Sequence, residues 1–448
     1  MLSAMTSEHR SGAPDARPWA APLASGPVNA TVRMPGTKSG TNRYLVLAAL
    51  STRSVRIARP LWARDTHLMV DGLRSLGVTV DLEPDFDGEM DAVVTGPHAG
   101  GRIGDPRARV VNCGNAGTVA RFLPPFAALT YAPADFDGDP RIRERPLTAL
   151  LDALRALGAE ISAGATAMPF TIRGPLTGGP VVIDASASSQ LVSGLLLSGP
   201  GMVKGVSVRH VGPTMPSQPH VRMTVAALRE AGAAVDTEGP DSWTVQPGDL
   251  ALPDVVVEPD LSTASAFLAA AAATGGTVTL ADWPLVTEQP GAMTPQVLRA
   301  MGCTVTLGSD GLTVTGPSTL TGVDVDLRDN PEVAPTITAL AVLADSPTRL
   351  RGIAHIRGQE TDRLAALSEE LGHLGASIAV EEDGLTITPA SLKAPTGVVL
   401  DPRADHRLAM AYAVVGLRIP GVAVSDIATT GKTISDFPAR WAMLVDSA

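Results

Sequence analysis

Cysteine is nearly absent from this chain of 448 residues. Cys113 and Cys303 are the only two, too few for a disulfide framework and suited to a reducing compartment. Aromatic residues make up 3% of the chain, which argues against base-stacking platforms. Positive charge is the minority sign, with 35 Lys and Arg against 46 Asp and Glu and a net charge of −11. A general nucleic-acid binder would carry a basic face, so that class is excluded, while a local cationic pocket is not. The eight histidines show no HxH or HxxxH spacing, and no structural metal is expected. Apolar runs are short: Ala266–Ala273 falls well below the roughly 20 residues that cross a bilayer. Residues 1–26 are rich in Pro, Ala and Ser and lack a charged start followed by an apolar core. They read as a disordered leader rather than a signal peptide. A soluble cytoplasmic protein is the expectation.

What the chain does have is internal periodicity. An apolar, Ala- and Leu-rich helix followed by a β-branched strand recurs from near Leu45, Arg121, Leu191, Phe267, Thr336 and Leu408. A second, amphipathic helix ends in a glycine and runs into another strand at Gly77, Gly158, Gly232, Gly302 and Gly375. A glycine there suits the left-handed residue that terminates a helix. The sixth unit is split. Residues 437–447 form an amphipathic segment with no strand after it, and 28–34 form a strand candidate with no helix before it. The spacing predicts that both ends of the chain complete one repeat. Six repeats are too many for one small core, so the expected fold is α/β with two domains of three βαβαββ-type repeats. One domain spans 36–257, and the other joins 27–35 to 258–448.

Polar motifs precede each helix. Lys38-Ser39, Asn115-Ala116-Gly117, Ser188-Ser189-Gln190, Asp260-Leu261-Ser262-Thr263, Asn330-Pro331-Glu332 and Asp405-His406-Arg407 precede helices of the first kind. Arg64-Asp65, Arg141–Pro146, Ser217–His220, Thr287–Gln289, Glu360–Arg363 and Lys432-Thr433 precede those of the second. Ser, Thr, Asn and Asp are ordinary N-caps, but Lys and Arg are unfavourable near a helix start. Their recurrence there predicts a polyanionic ligand between the domains, held by helix N-termini and cations together. Gly36–Ser39 and Gly431–Thr433 fail the spacing of a phosphate-binding P-loop, and 114–117 is no dinucleotide fingerprint. Cys113 reads equally as packing, and His406 as either a proton shuttle or a structural histidine.

The motifs PGTKSGTNR (35–43), GNAGTVAR (114–121), DPRIRERP (139–146), SASSQ (186–190), QETDRL (359–364), ADHRLAM (404–410) and GKT (431–433) together resemble the 5-enolpyruvylshikimate-3-phosphate synthase family. The likeness runs from about 27 to 445. It implies the inside-out α/β barrel of enolpyruvyl transferases, with a ligand cleft between two domains. It also implies two substrates, shikimate 3-phosphate and phosphoenolpyruvate, with no cofactor and no metal, and a monomer. Shikimate 3-phosphate would meet Lys38, Ser39, Arg43, Ser188, Ser189, Gln190, Ser217, Glu332, His355 and Gln359. Phosphoenolpyruvate would meet Lys38, Asn115, Gly117, Arg141, Gln190, Arg363, Arg407 and Lys432, with Arg121 flanking. The implied chemistry is addition followed by elimination, with Glu332 taking the proton of the attacking hydroxyl. Glu360 and Lys38 are rivals for protonating the methylene carbon. Two phosphates and two carboxylates suit this many Arg forks, and a carboxylate among them should have a lowered pKa.

Several positions depart from the family pattern. Glu332 stands for the usual Asp, Gln359 and His355 for Lys and Asn, His220 for Tyr, Phe122 for Pro and Thr37 for Ser. Two other readings therefore stay open: an enolpyruvyl transferase with another acceptor, such as a modified shikimate or a UDP-sugar, and a non-catalytic anion-binding relative. Glyphosate, which occupies the phosphoenolpyruvate pocket in this family, is expected to inhibit, because Gly117 leaves room an alanine would fill.

Overall fold

The computed structural model describes residues 17–85, 88–96 and 109–448. Both helical series are present. The first comprises Lys38–Leu50, Gly117–Ala127, Gln190–Ser198, Leu261–Thr274, Ala334–Ala341 and His406–Gly416. The second comprises Arg64–Ser75, Thr148–Ala156, Gln218–Glu230, Thr294–Ala300, Arg363–Gly372 and Phe437–Val445. The five turn glycines all take positive φ, from 90° at Gly232 to 108° at Gly158.

Helices of the first series lie innermost because they are apolar all round. Every residue of Leu261–Thr274 is buried, and Asp260 caps it by accepting from the Thr263 amide at 2.8 Å. The strands instead alternate: Arg109–Asn112 and Phe170–Arg173 bury every second residue, one face on the helices and one on solvent. Among the described residues there are five four-stranded sheets and one three-stranded sheet, none of them closed. In each, the strands flanking a first-series helix position pair in parallel and the remaining pairs are antiparallel. This is the α/β inside-out arrangement, helices within and sheets without.

Buried apolar side chains gather in two clusters that share no residue. One draws on residues from Leu45 to Val257, the other on Val28, Met34 and residues from Leu261 to Val445. The chain crosses between them twice, side by side: Thr37 N donates to Glu258 O at 2.7 Å and Asp260 N to Pro35 O at 2.9 Å. Gly36 is required at this crossing, since a Cβ there would lie 2.2 Å from Arg59 O.

Two expectations need correction. The strand Asn29–Val32 does not complete the sixth repeat; it pairs in parallel with Thr277–Leu280 and opens the fourth. Val255–Val256 likewise supplies the opening strand of the first repeat, against Val55–Ala58. At each crossing the helix leaves its preceding strand in the other half, so the two halves exchange strands. The sixth sheet is closed instead by Trp19–Ala20, antiparallel to Ala423–Val424. The leader therefore does not extend to residue 26. Trp19 is anchored 6.4 Å from Phe437, which stacks on Trp441 at 5.2 Å, and composition hides so short an edge strand. Residues 1–16 of the expected leader lie outside the described residues.

Candidate active site

Helix starts from five of the six repeats meet at a cavity of about 330 Å³ between the two halves. Lys38, Gly117, Gln190, Arg363 and His406 are each the first residue of a helix, and all five line this space. Glu332 sits in the turn Pro331–Val333 that leads into Ala334–Ala341. Ser39, Ser188, His355, Gln359, Glu360 and Arg407 complete the expected residues on the walls. The convergence expected of equivalent repeat positions thus extends to five repeats; the fourth-repeat motifs Asp260–Thr263 and Thr287–Gln289 do not line this cavity.

Charge on the walls is arranged in buried pairs. Arg363 is 1% exposed; its Nε donates to Asp405 at 2.7 Å and its Nη2 to Glu360 at 3.0 Å, while Nη1 meets Gln359 Oε1. Lys432 Nζ reaches Glu360 Oε1 at 2.6 Å, and Arg407 Nη2 reaches Glu332 Oε2 at 2.5 Å. Asp405 fixes the start of His406–Gly416 by accepting from Arg407 N at 2.9 Å. Lys38 Nζ faces Asp65 at 3.4 Å.

Burial would raise the Glu332 carboxyl, but Arg407, His220, Lys38 and Arg363 together hold it at about 2. Burial likewise opposes the charge on Glu360, and Lys432, Arg363 and Arg145 overcome it, so its pKa lies well below the usual range. Both carboxylates are ionised at neutral pH. Burial lowers His220 and His355 to about 4 and, with Arg407, Lys38 and Lys432 nearby, holds His406 well below the ordinary imidazole range. These three imidazoles are neutral in the folded protein, whereas in the unfolded chain each binds a proton below about pH 6.5. Their contribution to stability is present above that pH and lost as pH falls. Urea midpoints followed by circular dichroism should therefore decline from near pH 6.5 toward pH 4. The contribution of Glu332 and Glu360 follows below about 4.5, where unfolded carboxyls begin to protonate. A midpoint constant from pH 7 to 4.5 would contradict this.

Not every expected residue stands on the wall. Arg43 is buried beneath it. Its Nε, Nη1 and Nη2 donate to Thr224 Oγ1, Ser39 O and His220 O, each at 2.8 Å, and its guanidinium lies 5.3 Å from the Phe122 ring. That cation–π contact gives Phe122 its physical role. Arg43 therefore orients Ser39. Ser189 and Ser217 are buried just behind the wall, as is Lys432, which enters through Glu360. Asn115 has a buried Oδ1 with no protein partner.

Arg141, expected at the wall, lies at the rim instead. It pairs with Glu144 at 2.7 Å and touches Gln359 O at 3.2 Å. The one-turn helix Pro140–Glu144 decides this. It sends Arg141 to Glu144 and Arg143 to Asp137 at 2.7 Å, which leaves Arg145 without a carboxylate of its own. Arg145 lines the cavity, and its Nε and Nη1 are buried without a protein partner. Burial lowers its pKa, against the pull of Glu360 and Asp65. Sequence reading missed Arg145 and Asp65; the only signal was three arginines at alternate positions, which does not say which one faces inward. Gln190 Oε1, Arg121 Nε, His355 Nε2 and both ring nitrogens of His406 are also buried and unpartnered. Buried polar groups are seldom left so, and their concentration around one cavity marks a polar ligand site. Among the described residues no cluster of metal-ligating side chains occurs and no helix is long and apolar enough to cross a membrane.

Comparison with known proteins agrees with this geometry. Residues 23–441 match the family model described as EPSP synthase (3-phosphoshikimate 1-carboxyvinyltransferase). A 3-phosphoshikimate 1-carboxyvinyltransferase from Kocuria rhizophila is 50% identical over 439 residues, covering 96% of this chain and 97% of that one. Among solved structures, the EPSP synthase of Acinetobacter baumannii shares the fold at a TM-score of 0.75, with 24% identity over 95% of this chain and 97% of that one. The enolpyruvyl transferase NikO of Streptomyces tendae shares it at 0.73, with 20% identity over 94% and 96%. A site built from the helix starts of five of the six repeats, in a chain matched over nearly its whole length, leaves one assignment: the chain belongs to the EPSP synthase family.

Proposed function

We propose that the protein transfers the enolpyruvyl group of phosphoenolpyruvate to the 5-hydroxyl of shikimate 3-phosphate and releases phosphate. The carrying observation is the 330 Å³ cavity walled by Lys38, Arg121, Arg145, Arg363 and Arg407 with the carboxylates of Asp65, Glu332 and Glu360 among them, in a chain half identical to a named transferase. In our reading Arg145, Arg363, Arg407 and Lys432, with Lys38, surround phosphoenolpyruvate. Ser39, Ser188, Ser189, Ser217, Gln190 and His355 face the acceptor. Phosphate release that requires both substrates tests the assignment. Release with either alone, or none with both, would contradict it.

The cavity suits the chemistry in three steps. Protonation of the methylene carbon develops positive character at its neighbour, the 5-hydroxyl attacks there, and loss of phosphate and a methyl proton restores the double bond. In the free protein Glu332 is too acidic to be a good base. A bound phosphate or carboxylate that engages Arg407 and Lys38 withdraws their stabilisation and raises the carboxylate toward the affinity a general base needs. Substrate binding thereby arms Glu332. Glu360, set between Lys432 and Arg363, and Lys38 remain the two candidates for the carbon-directed acid. Burial pushes the Cys113 thiol up to about 12, so it supplies no thiolate nucleophile.

The two separate cores support treating 36–257 and 27–35 with 258–448 as bodies that close on ligand. Two free, buried cysteines suit a cytoplasmic protein, and we take it to act as a monomer. A Cβ on Gly117 would lie 2.9 Å from Arg121 Nη1, 3.1 Å from Arg145 Nη2 and 3.1 Å from Gln190 Oε1. Gly117→Ala should therefore raise the KM for phosphoenolpyruvate and weaken inhibition by glyphosate more strongly still. Competition assays check this, and unchanged inhibition would place glyphosate elsewhere.

A further inference from the structure

The cations of the cavity differ in how far their charge is engaged. Lys38, Arg121, Arg145, Arg363 and Arg407 line it, and Arg363 is fully engaged with Asp405, Glu360 and Gln359. Of the residues expected to meet the acceptor phosphate, Ser188 and His355 line the cavity and Ser217 is buried, and none of the three is a Lys or Arg. His355 nevertheless feels two cations, Arg363 and Arg328.

Arg328 belongs to the half opposite Ser217 and touches it: Ser217 N donates to Arg328 O at 3.0 Å across the cleft. Ser217 holds φ at +56°, a left-handed conformation that a serine keeps only when its surroundings impose it, and such strain concentrates at ligand contacts. The Arg328 guanidinium makes no hydrogen bond among the described residues. Its one ionic neighbour is Asp326, at 3.8 Å, and both side chains are more than two-fifths exposed. An exposed pair at that distance is weak, so this arginine is free to turn toward a stronger anion.

We propose that Arg328 is the cation that meets the phosphate of the acceptor and sets the preference for a phosphorylated over an unphosphorylated ring. Ser217 and His355 present hydroxyl and imidazole to the same group, and Arg328 adds the charge-assisted hydrogen bonds they lack. The inference rests on the transfer reaction proposed above and assigns one determinant of its specificity.

The test compares wild type, Arg328→Gln and Arg328→Lys in phosphate-release assays, with shikimate 3-phosphate or shikimate as acceptor. Loss of hydrogen bonds to a charged group corresponds to about tenfold to a hundredfold in affinity. Arg328→Gln should raise the KM for shikimate 3-phosphate by that much. The turnover number and the KM for phosphoenolpyruvate should stay within about twofold, and use of shikimate should hardly change. Arg328→Lys should recover part of the loss. A shikimate 3-phosphate KM unchanged in Arg328→Gln would overturn the proposal. So would an equal loss with both acceptors, which would mean that Arg328 acts only through the backbone of Ser217. If wild type itself releases no phosphate with both substrates, the transfer reading fails instead, and the two failures are distinct.

Discussion

Glu332→Gln is expected to lower turnover at least about a hundredfold, the scale on which general-base catalysis operates, with both KM values within a few-fold of wild type. The substitution keeps size and hydrogen-bonding shape but removes the ability to take a proton from the acceptor hydroxyl. Glu332 is the carboxylate whose partner, Arg407 at 2.5 Å, also faces the anionic substrates, so ligand binding and base strength are coupled at this one residue. Glu332→Asp keeps the charge and separates a proton-transfer role from a structural one; it should retain far more activity than the glutamine variant. A near-normal turnover number for Glu332→Gln in steady-state assays removes Glu332 from the proton transfers.

Arg145→Gln should raise the KM for phosphoenolpyruvate roughly tenfold to a hundredfold, while Arg141→Gln changes it by less than about threefold. Both arginines lie in the run Asp139–Pro146, and only their surroundings differ. Arg145 is half-buried on the cavity wall with Nε and Nη1 enclosed and unpartnered, against only Nε for Arg141, and hydrogen bonds to charged groups contribute about 1.5–3 kcal/mol. Arg141 already spends its charge on Glu144 at the surface, where such pairs matter little. Parallel titrations of phosphoenolpyruvate against the two variants decide it, and a larger effect at Arg141 would reverse the assignment.

How far the sequence could be read follows from what each signal encodes. Helix position and type were readable because apolar periodicity and the terminal glycines report local physics. The convergence of Lys38, Gly117, Gln190, Glu332, Arg363 and Arg407 followed from one further premise, that repeats share a structure. The domain to which Asn29–Val32 belongs was readable, but its partner strand was not, since a pairing with Thr277–Leu280, far along the chain, leaves no local mark. Arg145 was missed for a related reason. Which of three alternating arginines points inward depends on a one-turn helix and on carboxylates contributed by Glu144 and Asp137. Arg43 was assigned to the ligand by motif, yet its donors are taken by Thr224, Ser39 and His220, partners that sequence does not announce.

A single turnover in deuterium oxide, with both substrates bound, probes the account most directly. If the buried acids protonate the methylene carbon and later remove a proton from the resulting methyl, the new enolpyruvyl group must carry solvent deuterium on its terminal carbon as phosphate appears. Product formed with phosphate release but without deuterium there would mean that the double bond is never saturated, and the roles given to Glu332, Glu360 and Lys38 would be wrong.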